Sequence, residues 1–182
     1  MKIFGIDPGS DRTGYGCVEA VGSRHRLIVS GAISTASAVS FPEKLLQIHL
    51  GLAAVIAECR PDCVAIENLF YATNARSALR LGHARGVAML AAVEAGLEIA
   101  EYTPAEIKRA VVGYGRAEKP QVQQMIKLLL GLAEIPTPHD AADALAVAIC
   151  HLQASTGGVA EEMRQNNLKP QSQLRSWRQY RP

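Results

Sequence analysis

Four carboxylates stand at positions from which side chains can bind a metal ion. Asp7 ends the short apolar run KIFGID, and Glu67 ends a second apolar run, CVAIE. Asp140 and Asp143 are three residues apart in HDAADALAVAIC, so on a helix they share one face near its amino end. An ionised carboxylate at the end of a buried strand is costly unless it is paired or bound to metal. The four acids together therefore predict a metal site.

The chemistry of these ligands indicates which ion they bind. Oxygen ligands without patterned cysteine or histidine favour a hard cation, and Mg²⁺ is the common choice where phosphate is the substrate. Mn²⁺ is expected to substitute for it. Two such ions can activate a water and stabilise the leaving oxygen in an in-line attack on a phosphodiester. We therefore predict two Mg²⁺ ions in each active site and hydrolysis of a phosphodiester.

Taken singly, some of these acids also have a structural explanation. Asp7 precedes a Pro-Gly pair and could be a turn residue, and Asp140 could complete a capping box with Thr137. Glu67 and Asp143 are harder to explain in this way, because each interrupts an apolar run where another apolar residue is expected. The coincidence of all four favours metal binding over four separate structural roles.

The elements that must position these acids follow from the apolar pattern. Strands are predicted at residues 2–7, 14–21, 26–33, 63–67 and 97–102. Helices are predicted at residues 42–59 and 75–95, from Pro104, at 120–130, and from Pro138 to 154. The first three strands suggest an antiparallel meander, and the fourth is expected to run parallel to the first. This order predicts an α/β domain with a mixed five-stranded sheet and helices on both faces.

Length and charge suggest one domain with a nucleic-acid partner. We expect one domain over residues 1–155, followed by a basic and flexible tail at 156–182 that has little apolar content. The formal net charge of +2 is only mildly basic. However, the segment between Glu67 and Glu94 contains arginines and no acid, and so does the chain after Glu162. Two stretches of the chain are therefore one-sidedly positive.

The sequence argues against membrane, secreted and zinc-binding classes. The apolar opening is too short for a secretory signal, and no run of eighteen uncharged apolar residues occurs. A cytoplasmic protein without a membrane partner is expected. The cysteines lack zinc-ligand spacing, so they are expected to be buried reduced thiols: Cys17, Cys59, Cys63 and Cys150.

Four segments carry a more specific signal. They are GIDPGSDRTGYG, AIENLFYATNARSALRLGHARGVA, VVGYGRAEKPQVQ and HDAADALAVAICH. In order and spacing they resemble the RuvC family of bacterial Holliday junction resolvases, over residues 1 to about 152. The resemblance implies a ribonuclease-H-like fold and a homodimeric, magnesium-dependent endonuclease. Such an enzyme makes paired symmetric nicks in four-way junction DNA during recombination and repair, alongside the branch-migration complex RuvA-RuvB.

The resemblance also assigns metal ligands. By position in the motifs, the four metal-binding catalytic acids of the family correspond to Asp7, Glu67, Asp140 and Asp143. Some members of the family have His at the position of Asp140. Because His139 lies next to it here, His139 is a possible extra ligand, and either side chain could complete the metal site.

The resemblance implies several DNA contacts as well. Lys108 and Lys119 match basic residues that support DNA contact and catalysis, where an ammonium offsets developing negative charge. Phe70 resembles an aromatic that stacks on an unpaired base near the crossover. Arg76 and Arg80 are four residues apart, so they share a helix face that could follow phosphates. The alternatives are a core position for Phe70 and solvated surface positions for the basic residues.

The helix that carries the arginines has a further feature. Gly82 and Gly86 are four residues apart and leave a notch where another helix can approach closely. The resemblance implies that this helix contributes to a dimer interface, and the alternative is packing against the sheet of the same chain. A two-fold dimer suits two cuts at related positions on a two-fold substrate.

Two other functions compete with the nuclease. An Asp followed by a Gly-rich turn and Thr also begins sugar kinases and actin-like ATPases, which share this sheet. Those enzymes need two such domains, and this chain has room for one. The second alternative is a catalytically inactive junction-binding protein that uses the basic segments for binding. The four intact acids argue against it.

Overall fold

The computed structural model describes residues 1–68 and 74–156. Its strands are β1 (Lys2–Asp7), β2 (Arg12–Val21), β3 (Arg24–Ser34), β4 (Cys63–Glu67) and β5 (Glu98–Tyr102). Its helices are α1 (Phe41–Cys59), α2 (Ala75–Glu94), α3 (Pro104–Val112), α4 (Lys119–Leu129) and α5 (His139–Thr156). Thr156, the first residue of the predicted tail, ends α5, and the rest of the tail, 157–182, lies outside the described residues. No helix in the described ranges is long and apolar enough to cross a membrane.

The strands form one mixed sheet in the order β3-β2-β1-β4-β5. β1, β2 and β3 are antiparallel neighbours, whereas β4 runs parallel to β1 and β5 runs parallel to β4. The predicted meander and the predicted parallel pairing are both confirmed. Because β1 and β4 are parallel and in register at Ile6 and Ile66, Asp7 and Glu67 leave the sheet at the same edge.

The alternation of side chains decides which face these acids occupy. On β1, Phe4 and Ile6 belong to the core under α1 and α2, whereas Ile3 belongs to the core under α5. Successive side chains on a strand point to opposite faces, so Asp7 lies on the α5 side. The same alternation on β4 brings Glu67 to that side. Both carboxylates therefore lie on the α5 side of the sheet, at the ends of β1 and β4.

Helices cover both faces of the sheet, as predicted. One core lies between the sheet and the helices α1 and α2, and includes Ile48, Leu52 and Ile56 of α1. The other core lies between the sheet and α5, which α3 and α4 cover from outside. α5 is therefore a central helix. Between residues 141 and 150, Asp143 is its only residue that is not buried.

Glycines in the sheet allow α5 to approach closely. A Cβ added at Gly5 would lie 2.0 Å from the Ala144 carbonyl oxygen, and one at Gly16 would lie 2.6 Å from the Leu145 side chain. Only a residue without a side chain fits there. The backbone of α5 consequently rests almost directly on β1 and β2.

The element ends differ from the predicted ones by a few residues. The hairpin of β2 and β3 is longer than expected, because backbone pairing continues from Arg12 opposite Ser34 to Val21 opposite Arg24. Gly22 makes the turn with a φ of 59°. α5 begins at His139 rather than at Pro138. α3 begins with the predicted capping box, in which Thr103 and Glu106 exchange hydrogen bonds.

All four cysteines are free thiols. Cys17, Cys59 and Cys150 are buried, and Cys63 is half-buried in β4. Burial is the largest cause that raises the pKa of each thiol. These positions agree with the prediction of buried reduced thiols, which behave as small apolar side chains.

Candidate active site

The strand-end acids and the helix acids meet at one point of the backbone. Gly14 on β2 lies opposite Asp7 on β1. A Cβ at Gly14 would lie 2.0 Å from the Asp140 carbonyl oxygen, so the first turn of α5 rests on this glycine. The turn that follows Asp7 is held by Thr13, whose hydroxyl donates to the Gly9 carbonyl at 2.7 Å. The backbone therefore fixes strand acid and helix acid side by side.

A cleft of about 420 Å³ opens beside these residues. Its charged lining residues are three of the predicted acids and both predicted lysines: Asp7, Glu67, Asp143, Lys108 and Lys119. Its apolar wall comes from α3, α4 and α5 through Pro104, Ile107, Val122 and Ala146. Convergent acids and ammonium groups against an apolar wall are typical of a catalytic cleft.

The two strand-end acids raise the free-energy cost of each other's ionisation. Burial, followed by the negative charges of Glu67 and Asp143, raises the pKa of Asp7, and a hydrogen bond joins it to Glu67. Burial is also the largest cause of the raised pKa of Glu67, whereas its hydrogen bond to Asp7 and the charges of Lys119 and Lys108 oppose the rise. Two partly buried carboxylates at this spacing cannot both ionise cheaply without a cation.

Each helix acid is instead paired with a basic side chain. The Lys119 ammonium lies 2.5 Å from the Asp143 carboxylate. Desolvation opposes the charged form of Lys119, but the bond to Asp143 and the charge of Asp7 outweigh it and raise its pKa. The Arg12 guanidinium lies 3.5 Å from the Asp140 carboxylate. The Asp140 side chain thus has an ion pair rather than the capping role that remained open from the sequence.

The donor set suits a divalent cation, although it is not preassembled. Within residues 1–68 and 74–156, no group of three or more His, Cys, Asp or Glu side chains is arranged to hold a metal ion. Asp143 is paired with Lys119 and Asp140 with Arg12, while burial and neighbouring negative charge raise the pKa of Asp7. These partners supply the positive charge that a cation would otherwise supply. The oxygen-only ligands and the raised pKa values fit a hard ion that displaces them.

The remaining predicted residues lie in different surroundings. Lys108 is half-buried and lines the cleft. Arg76 and Arg80 are exposed near the start of α2 and do not line the cleft, and the Arg80 guanidinium lies 5.3 Å from the centre of the Phe41 ring. Phe70 falls outside the described residues. His139 is exposed at the start of α5, with Nδ1 bonded to the Gln123 amide at 3.0 Å.

The sequence reasoning missed two residues of this site. Arg12 was not predicted as a site residue, although it is the only basic residue of the motif GIDPGSDRTGYG. Gln123 is buried and comes four residues after Lys119, so one face of α4 contacts both His139 and Asp143. The i, i+4 spacing was a usable signal for Gln123. The partner of Arg12 is 128 residues away and leaves no local signal.

Comparisons with known proteins identify the family to which this chain belongs. The family model described as crossover junction endodeoxyribonuclease RuvC matches residues 3–151. The chain belongs to the RuvC family. Its match accounts for nearly all of the sheet and helices described above, so a sugar kinase or actin-like ATPase is not favoured. RuvC nucleases are metal-dependent enzymes, which agrees with the acidic ligand set.

Individual RuvC relatives cover most of the chain. The RuvC protein of Syntrophotalea carbinolica is 58% identical over 151 residues, which span 83% of this chain and 93% of the relative. The RuvC protein of Pelobacter propionicus is 50% identical over 182 residues and matches all of both chains. Thermus thermophilus RuvC, solved in complex with a Holliday junction substrate, superposes with a TM-score of 0.81 at 35% identity, covering 85% of this chain and 94% of that chain. The predicted ribonuclease-H-like fold is confirmed.

Proposed function

We propose that this chain resolves Holliday junctions by paired symmetric nicks during DNA recombination and repair. The observation that carries the proposal is the convergence of Asp7, Glu67 and Asp143 with Lys108 and Lys119 in one cleft of a RuvC-family chain. The acids suit metal-assisted phosphodiester hydrolysis, and the lysines suit an anionic substrate. The solved complex of Thermus thermophilus RuvC with a Holliday junction substrate supports the same substrate for this chain.

The metal-binding acids in this proposal are Asp7, Glu67, Asp140 and Asp143. Two Mg²⁺ ions, or Mn²⁺ in their place, would activate the attacking water and stabilise the leaving oxygen. Oxygen-only donors and carboxylates with raised pKa values support this assignment, because a divalent cation would remove the need for a shared proton. His139 would be an additional ligand through Nε2 if its Nδ1 carried the proton and donated it to the Gln123 amide oxygen. That requires the amide to turn over, because its nitrogen now faces Nδ1 at 3.0 Å.

The basic side chains would act on the DNA. Cations bound by the acids would replace the Lys119 ammonium as the partner of Asp143. Lys119 would then be available to a phosphate in the cleft, where its charge would offset developing negative charge. Lys108, on the same cleft wall, would hold an adjacent phosphate. Outside the cleft, Arg76 and Arg80 would follow the backbone of one junction arm. We keep Phe70 as the aromatic that stacks on an unpaired base.

We propose a homodimer in which two copies pack through α2. One face of α2 is exposed and apolar, with Leu79 65% exposed, Leu90 49% and Val93 62%. Gly82 and Gly86 lie on that face, and a Cβ at either would meet nothing within 4 Å. These five residues recur at helical spacing, so they form one stripe that a second helix can cover. A two-fold axis there would give two active sites for two symmetric cuts.

The remaining parts of the proposal concern the cellular setting. We infer that the chain acts in the cytoplasm and that the branch-migration complex RuvA-RuvB is its partner on junction DNA. Membership of the RuvC family supports both inferences. We assign the nuclease to residues 1–155 and propose that the basic residues 156–182 follow this domain.

A labelled synthetic four-way junction tests the function. We expect the protein to nick two opposite strands when Mg²⁺ is present and none when a chelator is present. Asp7→Asn is expected to abolish nicking while it retains junction affinity, because the lost carboxylate is a metal ligand rather than a DNA contact. Gel mobility and product sizing measure the two properties. Junction binding without nicking by the unmodified protein would establish the inactive junction-binding alternative instead.

A further inference from the structure

The loop between α3 and α4 carries an exposed aromatic ring that the proposed function does not use. Its residues are 113–118, GYGRAE. Tyr114 is 46% exposed, and it is the only aromatic among the exposed large hydrophobic side chains of residues 1–68 and 74–156. Arg116, two residues later, is exposed too. An exposed aromatic beside a cation is a typical contact for nucleic acid.

The ring is held in place rather than free to rotate. The Tyr114 hydroxyl donates to the Gln121 Oε1 at 2.8 Å, and the same oxygen accepts the Glu118 backbone N–H at 2.8 Å. Gln121 lies in the first turn of α4, two residues after Lys119. Because the hydroxyl is committed to the protein, the flat face of the ring is what remains for a ligand. The same helix end fixes the ring and supplies Lys119 to the cleft.

The backbone holds this loop against the rim of the cleft. Gly113 ends α3 with a φ of 94°, which turns the chain sharply back. A Cβ added at Gly115 would lie 3.3 Å from the Ala105 carbonyl oxygen, so the loop packs against the first turn of α3. Ala105 adjoins Pro104, which lines the cleft. The loop therefore lies beside the cleft and joins α3, which carries Lys108, to Lys119 at the start of α4.

These observations combine into one inference, which rests on the proposed function. We propose that Tyr114 stacks on a base of the junction strand that enters the cleft, and that Arg116 binds a phosphate of the same strand. A preordered ring loses little conformational freedom on binding, and base stacking tolerates any sequence because every base has a flat π-face. The loop would thereby hold the strand in register with the scissile position.

Junction affinity of purified full-length protein, measured by fluorescence anisotropy with chelator present, tests this inference without cleavage. Tyr114→Ala is expected to weaken binding about tenfold, as expected for the loss of one base–aromatic stack. Tyr114→Phe keeps the ring and is expected to bind within about threefold of the unmodified protein. Tyr114→Leu keeps a branched apolar side chain, shorter than the ring and without its π-face, so it is expected to resemble Tyr114→Ala.

Arg116→Ala is expected to weaken binding and to reduce the slope of log affinity against log salt by about one. Arg24→Ala is the matched control. Arg24 is also an exposed arginine, but it begins β3 at the end of the sheet away from Asp7. This control is expected to leave affinity and slope unchanged. Circular dichroism melts verify that each variant is folded.

A base analogue gives a readout that a purely structural role would not change. Fluorescence of 2-aminopurine, placed at successive positions around the crossover, is expected to be quenched at one position by the unmodified protein and by Tyr114→Phe, but not by Tyr114→Leu. Unchanged affinity and unchanged quenching in folded Tyr114→Leu would overturn the stacking role while junction nicking stays intact. If the unmodified protein neither bound nor nicked the junction, the proposed function itself would fail.

Discussion

The two faces of the sheet differ in the size of the residues that lie between the sheet and its helices. The face under α1 and α2 is filled by large aliphatic side chains such as Ile48, Leu52 and Ile56. Under α5, the central positions of β1 and β2 are Gly5, Gly14 and Gly16 instead. Both faces gain free energy by burying apolar area. The glycines under α5 add a short, fixed distance between backbones.

This difference explains why the carboxylates appear on the glycine side. Long side chains between helix and sheet would separate α5 from β1. The position of the first turn of α5 would then vary with the rotamers of those side chains. At Gly14 the backbone of β2 contacts the backbone of α5. The backbone position of Asp140 relative to that of Asp7 therefore does not depend on a side-chain rotamer. Sites that bind metal ions and phosphates need such positional precision. The aliphatic face supplies stability that such a site does not supply.

The largest expected effect comes from adding one methyl group to the glycine side. Gly14→Ala places a Cβ 2.0 Å from the Asp140 carbonyl oxygen and 2.5 Å from its carbon, so the backbone of α5 must move. A misplacement of about 1 Å costs on the order of 10²-fold in rate. We therefore expect junction nicking to fall by at least about that factor in single-turnover assays.

Gly51→Ala is the matched control on the aliphatic face. The three atoms nearest to its added Cβ would all belong to the Ile33 side chain, the closest at 2.8 Å, and none is a backbone atom, so a shift of one side chain would accommodate the methyl group. We expect this variant to nick at close to the normal rate. Equal loss of activity in both variants would remove the proposed distinction between the two faces.

The second effect reverses the comparison, because it changes stability rather than catalysis. Leu52 on α1 is fully buried, and Leu52→Ala is expected to lower the free energy of unfolding by about 2–5 kcal/mol. Urea denaturation measures this loss. Leu46→Ala on the same helix is the control, since Leu46 is 56% exposed and its loss should change stability by less than about 0.5 kcal/mol. Below the unfolding transition, slower nicking by Leu52→Ala than by Leu46→Ala would contradict the separation of roles.

The smallest expected effect is the loss of folding stability when Asp7 ionises in the metal-free protein. The pKa of Asp7 is raised in the folded chain, so between its ordinary range and the raised value the folded state binds more protons than the unfolded state. Stability of the metal-free protein must therefore fall as pH rises through that window. In Asp7→Asn this loss is expected to be smaller, because the group no longer ionises.

Thermal melts with chelator, from about pH 5 to about pH 8, measure this effect. We expect the melting temperature of the unmodified protein to decrease relative to that of Asp7→Asn by a few degrees, since about 1 kcal/mol corresponds to roughly 2–4 °C in a domain of this size. Mg²⁺ should restore part of the difference by binding the folded state. Parallel pH curves for the two proteins would show that Asp7 carries no such cost.

Local patterns were sufficient for much of the fold. β4 was predicted with its observed bounds, and α2 differs from its prediction by one residue, because apolar runs and helical periodicity are properties of neighbouring residues. The hairpin of β2 and β3 was predicted too short. Its outer residues are polar, and only pairing between the strands keeps them extended.

The amino-acid sequence by itself singled out the side chains that we propose carry the chemistry. An acid at the end of an apolar strand, or three residues from another acid on a helix, becomes a candidate through spacing alone, as Asp7, Glu67 and Asp143 did. Only the tertiary structure decided what surrounds them. The pairing of Arg12 with Asp140, the contact of Gly14 with α5 and the anchoring of Tyr114 at the cleft rim join residues that lie on different elements. Such contacts depend on how close the elements pack, and that distance is set by the volumes of side chains throughout the core.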